Sequence, residues 1–419
     1  MGHRAAVAAL CGLLVFGAAL PASAATVSVV QTGINPLRGN AVDSSGRLWV
    51  PYSRPVGGGA AVVETSVARQ VAGTGHGCVI ATWSCSTVDK NANSSEVSIA
   101  AGPAGAVWLA FYVTNPRGVS ALKVARYVGT GGTGCSSPQW SCEIVVKNQS
   151  FFRTESAPGI AVLADGTPVV AFATGTTAKP ATSMMIARRT AGAGCIDAAW
   201  TCSLVEHARG AYTGFPAVVT QSSGEIDVAY LTTGGDVRVA NTQAGAPPLR
   251  GCAADFHCQT ISTYDTSAMF PSVTLTLGPH HRLWLAFPAY DLAHTSSFVG
   301  LAYQSPSGSG CSAARWECQN VDAWGSAFAL NYASVAFDSL GHAFVAYQDF
   351  SFRSLRVAEQ VGSAACVTNA SPGWSCSTID SDPAGMFGYF PTIARTGSTL
   401  SITYGDELPI GQELRVATL

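Results

Sequence analysis

An all-β ring of repeated four-stranded units is the fold class this sequence predicts, and three observations predict it. A cysteine–aromatic–cysteine stretch returns six times at a near-constant interval. A two-strand pattern broken by a polar turn returns seven times between those stretches. No segment of ten or more residues past the N-terminal leader carries helical periodicity.

The first stretch is Cys78-Val-Ile-Ala-Thr-Trp83-Ser-Cys85. It returns as Cys135…Trp140-Ser-Cys142, Cys195…Trp200-Thr-Cys202, Cys252…Phe256-His-Cys258, Cys311…Trp316-Glu-Cys318 and Cys366…Trp374-Ser-Cys376. The first cysteines are 57, 60, 57, 59 and 55 residues apart. Cys11 sits in the leader, so every other cysteine falls into a local pair. Strict pairing behind an export signal argues for disulfides in an oxidising compartment. The competing reading is metal binding, but zinc sites favour Cys-x2–4-Cys with further ligands nearby. Here the spacing is mostly Cys-x6-Cys and no histidine tracks it, so no metal is expected. Each bond closes a loop of about eight residues, worth about 2–3 kcal/mol in the chain-entropy model. The tryptophan inside each loop is expected to cover its own disulfide; a stacking platform for sugars is the alternative.

The hairpins come next. Asn40-Ala-Val-Asp-Ser-Ser-Gly-Arg-Leu-Trp-Val-Pro-Tyr52 and Val97-Ser-Ile-Ala-Ala-Gly-Pro-Ala-Gly-Ala-Val-Trp-Leu-Ala-Phe111 are the first two copies. Later copies begin near Pro158, Pro216, Pro271, Ala333 and Pro391. Each reads as a short strand, a polar turn and a more apolar strand. A third strand follows, such as Leu122-Lys-Val-Ala-Arg126 or Leu355-Arg-Val-Ala358. The cysteine loop and a fourth strand, such as Ser86-Thr-Val-Asp89, complete the unit. Seven such units make a seven-bladed β-propeller of four-stranded antiparallel blades. The seventh unit stops after its third strand, at Leu419, while Thr26-Val-Ser-Val-Val30 reads as a fourth strand with no unit before it. The N-terminal strand is therefore expected to pair into the last blade and close the ring, which removes an exposed edge. The period is longer than that of WD40 repeats and lacks their Trp-Asp signature.

Residues 1–24 read as a signal peptide: a weakly basic start at His3 and Arg4, an apolar run from Ala5 to Leu20, and Ala22-Ser23-Ala24 as the cleavage site. An uncleaved anchor is the alternative. Leu10 before Cys11 spoils a lipobox. Residues 25–419 then form a single domain, secreted to the exterior or the periplasm, with no membrane span after cleavage. Charged residues are 11% of the chain. The balance is slightly acidic, with no basic stripe for nucleic acid and no charge run. A monomer without cofactor is expected. Gly129-Thr-Gly131-Gly-Thr-Gly134 matches G-x-G-x-x-G, but a cysteine and a strand follow where a dinucleotide site needs a helix.

The run Ser334-Val-Ala-Phe-Asp-Ser-Leu-Gly-His-Ala-Phe-Val-Ala-Tyr-Gln-Asp349, with Leu355-Arg-Val-Ala358 after it, resembles bacterial secreted propeller repeats. These read S-x-A-x-D-x-x-G-x-x-x-x-x-Y-x-D…L-K/R-x-A, and they belong with the sialidase-like and lectin-like propellers. The resemblance spans nearly all of the chain past the leader and implies fold and export rather than one activity. Asp43-Ser-Ser-Gly46-Arg-Leu-Trp49 departs from the sialidase Asp-box. It has one residue too many between Asp and Gly, and it lies at the first-to-second turn instead of the third-to-fourth.

Propeller geometry puts the regular turns and cysteine loops on one face. The second-to-third turns and the links between units go to the other, more variable face, where binding usually sits. Two groups of candidates for catalysis lie there. Asp349, Asp406 and Glu407, with Arg353, come from neighbouring units, and paired carboxylates could act on a glycoside. Asp291 and His294 form a candidate acid/base or lyase-type pair. Candidate ligand-binding residues are Arg153, Glu155, Tyr212, Arg353 and Tyr389. The sequence supports a binding protein for carbohydrate or another surface polymer. The alternatives are a polysaccharide-cleaving hydrolase or lyase and a structural adhesion protein.

Overall fold

The computed structural model describes residues 25–55, 63–90, 97–114, 120–149, 157–176, 179–207, 212–232, 234–242, 252–263, 272–290, 296–324, 330–361, 366, 371–381, 385–408 and 411–419. The leader expected over 1–24 lies outside them. The described chain forms seven antiparallel sheets in a ring, and its only helical turns are Pro103–Gly105 and Pro279–His281. Blades 1 to 6 span 35–89, 97–149, 159–207, 212–263, 274–324 and 330–381. In each, strands run outward from the axis in sequence order. Blade 7 takes Met386–Thr396, Thr399–Leu408 and Gly411–Thr418, and its outer strand is the N-terminal Thr26–Thr32. The closing register pairs Thr26 with Thr418 and Val27 with Ala417. The all-β propeller and its closure are therefore as the sequence predicts.

Each second strand lies between two neighbouring blades, so both of its faces are covered. Ile226–Thr232 and Leu283–Tyr290 are buried along their whole length. This explains why second strands read as continuous apolar runs, whereas the rim strand Trp83–Asp89 keeps a half-exposed stretch. All six cysteine pairs are bonded. The loop tryptophans are covered, Trp140 and Trp200 completely, and pack with their own cystines. They are core residues rather than sugar platforms. The turns into these loops need glycine. At Gly134, φ is +78° and an added Cβ would stand 2.3 Å from the Cys142 carbonyl oxygen.

The cysteine loops also join blades to one another. The Val79 N–H donates to the Val30 carbonyl at 3.0 Å, Ser137 to Val88 at 3.3 Å and Ile196 to Val145 at 3.0 Å. Ala253 donates to Val205 at 2.9 Å, Ser312 to Ile261 at 2.8 Å and Ser371 to Asn320 at 2.7 Å. In the first five the acceptor is the extra residue of a β-bulge in the outer strand of the preceding blade. A bulge leaves one carbonyl outside the ladder, and the loop satisfies it. The gap between blades 6 and 7 has no such loop, because the chain termini meet where it would be.

A second repeated contact crosses the gaps. Glu206 on the outer strand of blade 3 accepts hydrogen bonds from Tyr230 (2.5 Å) and from Arg238 Nε (3.0 Å) of blade 4. Asp322 accepts from Tyr347 (2.6 Å) and Arg356 (2.9 Å), and Asp380 from Tyr404 (2.5 Å) and Arg415 (3.0 Å). Asp89 and Lys123 form a reduced version at 2.5 Å, with Phe111 at the tyrosine position. Where the acid is missing, no basic residue stands opposite. The equivalent trios are Val146, Phe172, Met185, then Ser262, Phe287, Gly300, and, between blades 7 and 1, Gln31, Tyr52, Ser66, where the phenol persists beside a neutral amide. A buried arginine without its carboxylate would be costly, so the base is absent wherever the acid is absent.

Candidate functional site

One side chain reaches across the axis. Arg38, beside the innermost strand of blade 1, places its guanidinium 5.2 Å from the Phe215 ring of blade 4 and donates to the Val273 carbonyl of blade 5 at 2.5 Å. The backbone around it is tied down: Gly39 N–H donates to Thr392 Oγ1 at 3.1 Å and Asn40 Nδ2 to the Thr392 carbonyl at 2.8 Å. On the cysteine-loop side the axis widens to a bowl of about 780 Å³. Two of its charged groups are already engaged. Asp338 accepts from the Leu340 and His342 N–H groups at 2.8 Å each, and Arg395 donates to the Asp338 carbonyl at 3.3 Å.

A smaller cleft of about 360 Å³ between blades 7 and 1 is better equipped. Tyr389, Phe390, Asp406, Glu407 and Gln412 come to it from blade 7, and Asn35, Pro36, Leu37, Ser53 and Val63 from blade 1. Register explains the convergence. Glu407 pairs with Gln412 across neighbouring strands, Tyr389 with Gly405, and Asn35 with Ser53. Gly405 is required by contact rather than by φ: a Cβ there would lie 2.3 Å from Pro36 Cγ, so only glycine lets the blades approach. The innermost strand of blade 7 is bulged between Tyr389 and Thr392, and Phe390 adopts φ of 50°, strained for a bulky side chain. Its ring lies 4.5 Å from Tyr332 of blade 6, which is itself at φ of 43°. Tyr389 is hydrogen-bonded to Glu407. Burial, and then the Glu407 charge, push the phenol up to about 12, so it remains a proton donor at neutral pH.

The sequence candidates fall in several places. Tyr389 and Glu407 meet in this cleft. Asp406 is also in its wall, but neighbouring residues of a strand point to opposite faces. Its carboxylate is fully buried and ion-paired with Arg415 at 2.8 Å, in a network that also holds Asp380 and Glu413. Asp349 occupies the equivalent position in blade 6. It too is fully buried, accepting from Trp324 Nε1 (3.2 Å) and Phe352 N–H (3.1 Å), with Arg356 3.5 Å away. Burial raises its pKa against the pull of those three partners. Arg353 is exposed on the turn that follows, at φ of 49°. Tyr212 opens the innermost strand of blade 4, opposite Thr232. Arg153, Glu155, Asp291 and His294 lie outside the described residues. Asn35, Phe390 and Gln412 belong to no motif. The one available signal was position: Phe390-Pro391 and Phe215-Pro216 recur at the same point of the repeat, where blade 1 has Leu37-Arg38. Asp322, Cys366 and Cys376 place metal-ligating types within 4.8 Å. Both sulfurs are in a disulfide, however, and Tyr347 and Arg356 occupy the carboxylate, so the group is structural.

No family model matches this chain, and no curated protein matches it in sequence. Solved structures with related chain paths include an α-L-arabinofuranosidase, Arb93A, from Fusarium graminearum (10% identity, 94% of this chain and 98% of that one, TM-score 0.47). Another is AofleA from Arthrobotrys oligospora (10% identity, 85% and 89%, TM-score 0.47). A third is a protein of unknown function from Dyadobacter fermentans (12% identity, 78% and 94%, TM-score 0.44). Likenesses this distant say nothing of what this chain binds. Six disulfides belong to an oxidising compartment. Among the described residues no helix is long and apolar enough to cross a membrane.

Proposed function

We propose that this is an exported saccharide-binding propeller whose site is the cleft between blades 7 and 1. The observation that carries this reading is the Tyr389–Glu407 pair set beside the amides of Asn35 and Gln412, with the Phe390 ring in the same wall. A sugar presents vicinal hydroxyls and a C–H face. It is held by fixed donors and acceptors next to an aromatic ring, and this cleft supplies both. Among the described residues, the recurrent acid–phenol–base clusters of the other gaps are consumed by contacts between blades.

A hydrolase reading needs two carboxylates on opposite sides of one bond. Asp406 and Glu407 do not supply them, since Asp406 is committed to Arg415 on the other face of its strand. Among the described residues, this cleft is therefore better suited to binding than to cleavage by a carboxylate pair. A glycan array probed with protein lacking the leader tests the reading. Binding to a defined saccharide class is expected, weakened about tenfold or more by Tyr389→Ala and unchanged by Arg353→Ala. An array without any binding, or binding indifferent to Tyr389, overturns it.

A further inference from the structure

The charge around the cleft narrows the ligand. No lysine, arginine or histidine is among its described lining residues. Of the two carboxylates in its lining, Asp406 is taken by Arg415 on the other face of the strand, in the network with Asp380 and Glu413, and Arg54, beside the lining Ser53, lies 3.9 Å from Glu64. Glu407 is left facing the cleft with a neutral phenol, Tyr389, as its partner. A half-buried carboxylate in that position gains most from a cation, because attraction strengthens as water is excluded. The ring faces of Tyr389 and Phe390 act in the same direction.

We infer that the cleft selects a cationic saccharide, one built from amino sugars whose nitrogen is a free ammonium, over its N-acetylated and its acidic counterparts. This rests on the saccharide reading above. The ammonium sits against Glu407, the amides of Asn35 and Gln412 take adjoining hydroxyls, and the sugar's C–H face lies on the aromatic wall. Uronic-acid and sulfated chains are repelled by the same carboxylate.

Calorimetric titration separates the possibilities, using oligomers of glucosamine, of N-acetylglucosamine and of galacturonic acid at mildly acidic pH. The glucosamine oligomer is expected to bind at least about tenfold tighter than the acetylated one. The advantage should shrink as salt is raised and vanish in Glu407→Gln. Comparing ligands on the wild-type protein keeps the test independent of how that variant folds. If the acetylated oligomer binds as well as the amine, or better, the charge inference fails while the saccharide reading stands. If none of the three binds, the saccharide reading falls with it.

Discussion

The gap between blades 2 and 3 and the gap between blades 6 and 7 meet the same packing problem with different chemistry. The first is neutral. Val146, Phe172 and Met185 fill the positions held elsewhere by acid, phenol and base, and the Cys195–Cys202 loop hooks onto Val145. The second has no disulfide loop. It relies on Asp380, Tyr404, Asp406, Glu413 and Arg415. Its outer strand is also barer: Val145 is fully buried, whereas the matching Ile379 is half-exposed. The loop does not exclude charge, since the gaps between blades 3 and 4 and between blades 5 and 6 carry both. The two gaps compared are the separable cases: one loop-hooked and without charge, the other charged and without a loop.

The largest expected effect is at the charged junction. Arg415→Met leaves buried Asp406 without its cation and should cost about 3–5 kcal/mol in denaturant unfolding. Met185→Ala, at the neutral gap, should cost about 2 kcal/mol or less. Equal losses would erase the distinction. Asp227 supplies the contrasting case of a buried carboxylate with no cation partner among the described residues; it accepts only from Gln221, at 2.8 Å. Burial raises its pKa from 3.8 to about 6. The folded state then holds a proton that the unfolded chain releases, so its contribution is intact below about pH 4 and is lost as pH rises to about 6. The loss amounts to about 3 kcal/mol. Asp227→Asn keeps the hydrogen bond and should remove this slope from a stability–pH series; an unchanged slope would contradict the assignment. A smaller effect than at the charged junction is expected at the loop itself. Replacing Cys195 and Cys202 together by serine should cost about 2–3 kcal/mol. It should also speed amide exchange at Ile196 while leaving Thr26–Thr32 unaffected. Faster exchange in both places would mean that the junctions are not independent.

Much of the ring was legible because its evidence is periodic. The cysteine loops, the Leu-Arg-Val-Ala strands and the unpaired first strand give blade number and closure without any long-range inference. The contacts between blades were hidden in the same repeats. Asp322 and Arg356 stand 34 residues apart in separate units, and nothing local says that they meet. At the site, adjacency misled: Asp406 and Glu407 are neighbours in sequence, and strand alternation sends them to opposite sides of the blade. Tyr389 and Glu407 could be named as polar and aromatic residues on a variable link. Asn35 and Gln412 could not, since only the closing of blade 7 against blade 1 gives an amide at either position a role.

Every one of the six loop hooks points backward along the chain. Val79 reaches Val30, Ile196 reaches Val145 and Ser371 reaches Asn320, and in each pair the acceptor is 48–51 residues nearer the N-terminus. A chain threaded through an export pore from its N-terminus would thus find each docking partner already outside. Blade after blade can lock onto its predecessor as it emerges, over short sequence separations that favour rapid assembly. The last three strands, Met386 to Thr418, have no hook and enter as a wedge between blade 6 and the waiting first strand. Construction would then finish at the junction that has charge and apolar packing but no loop.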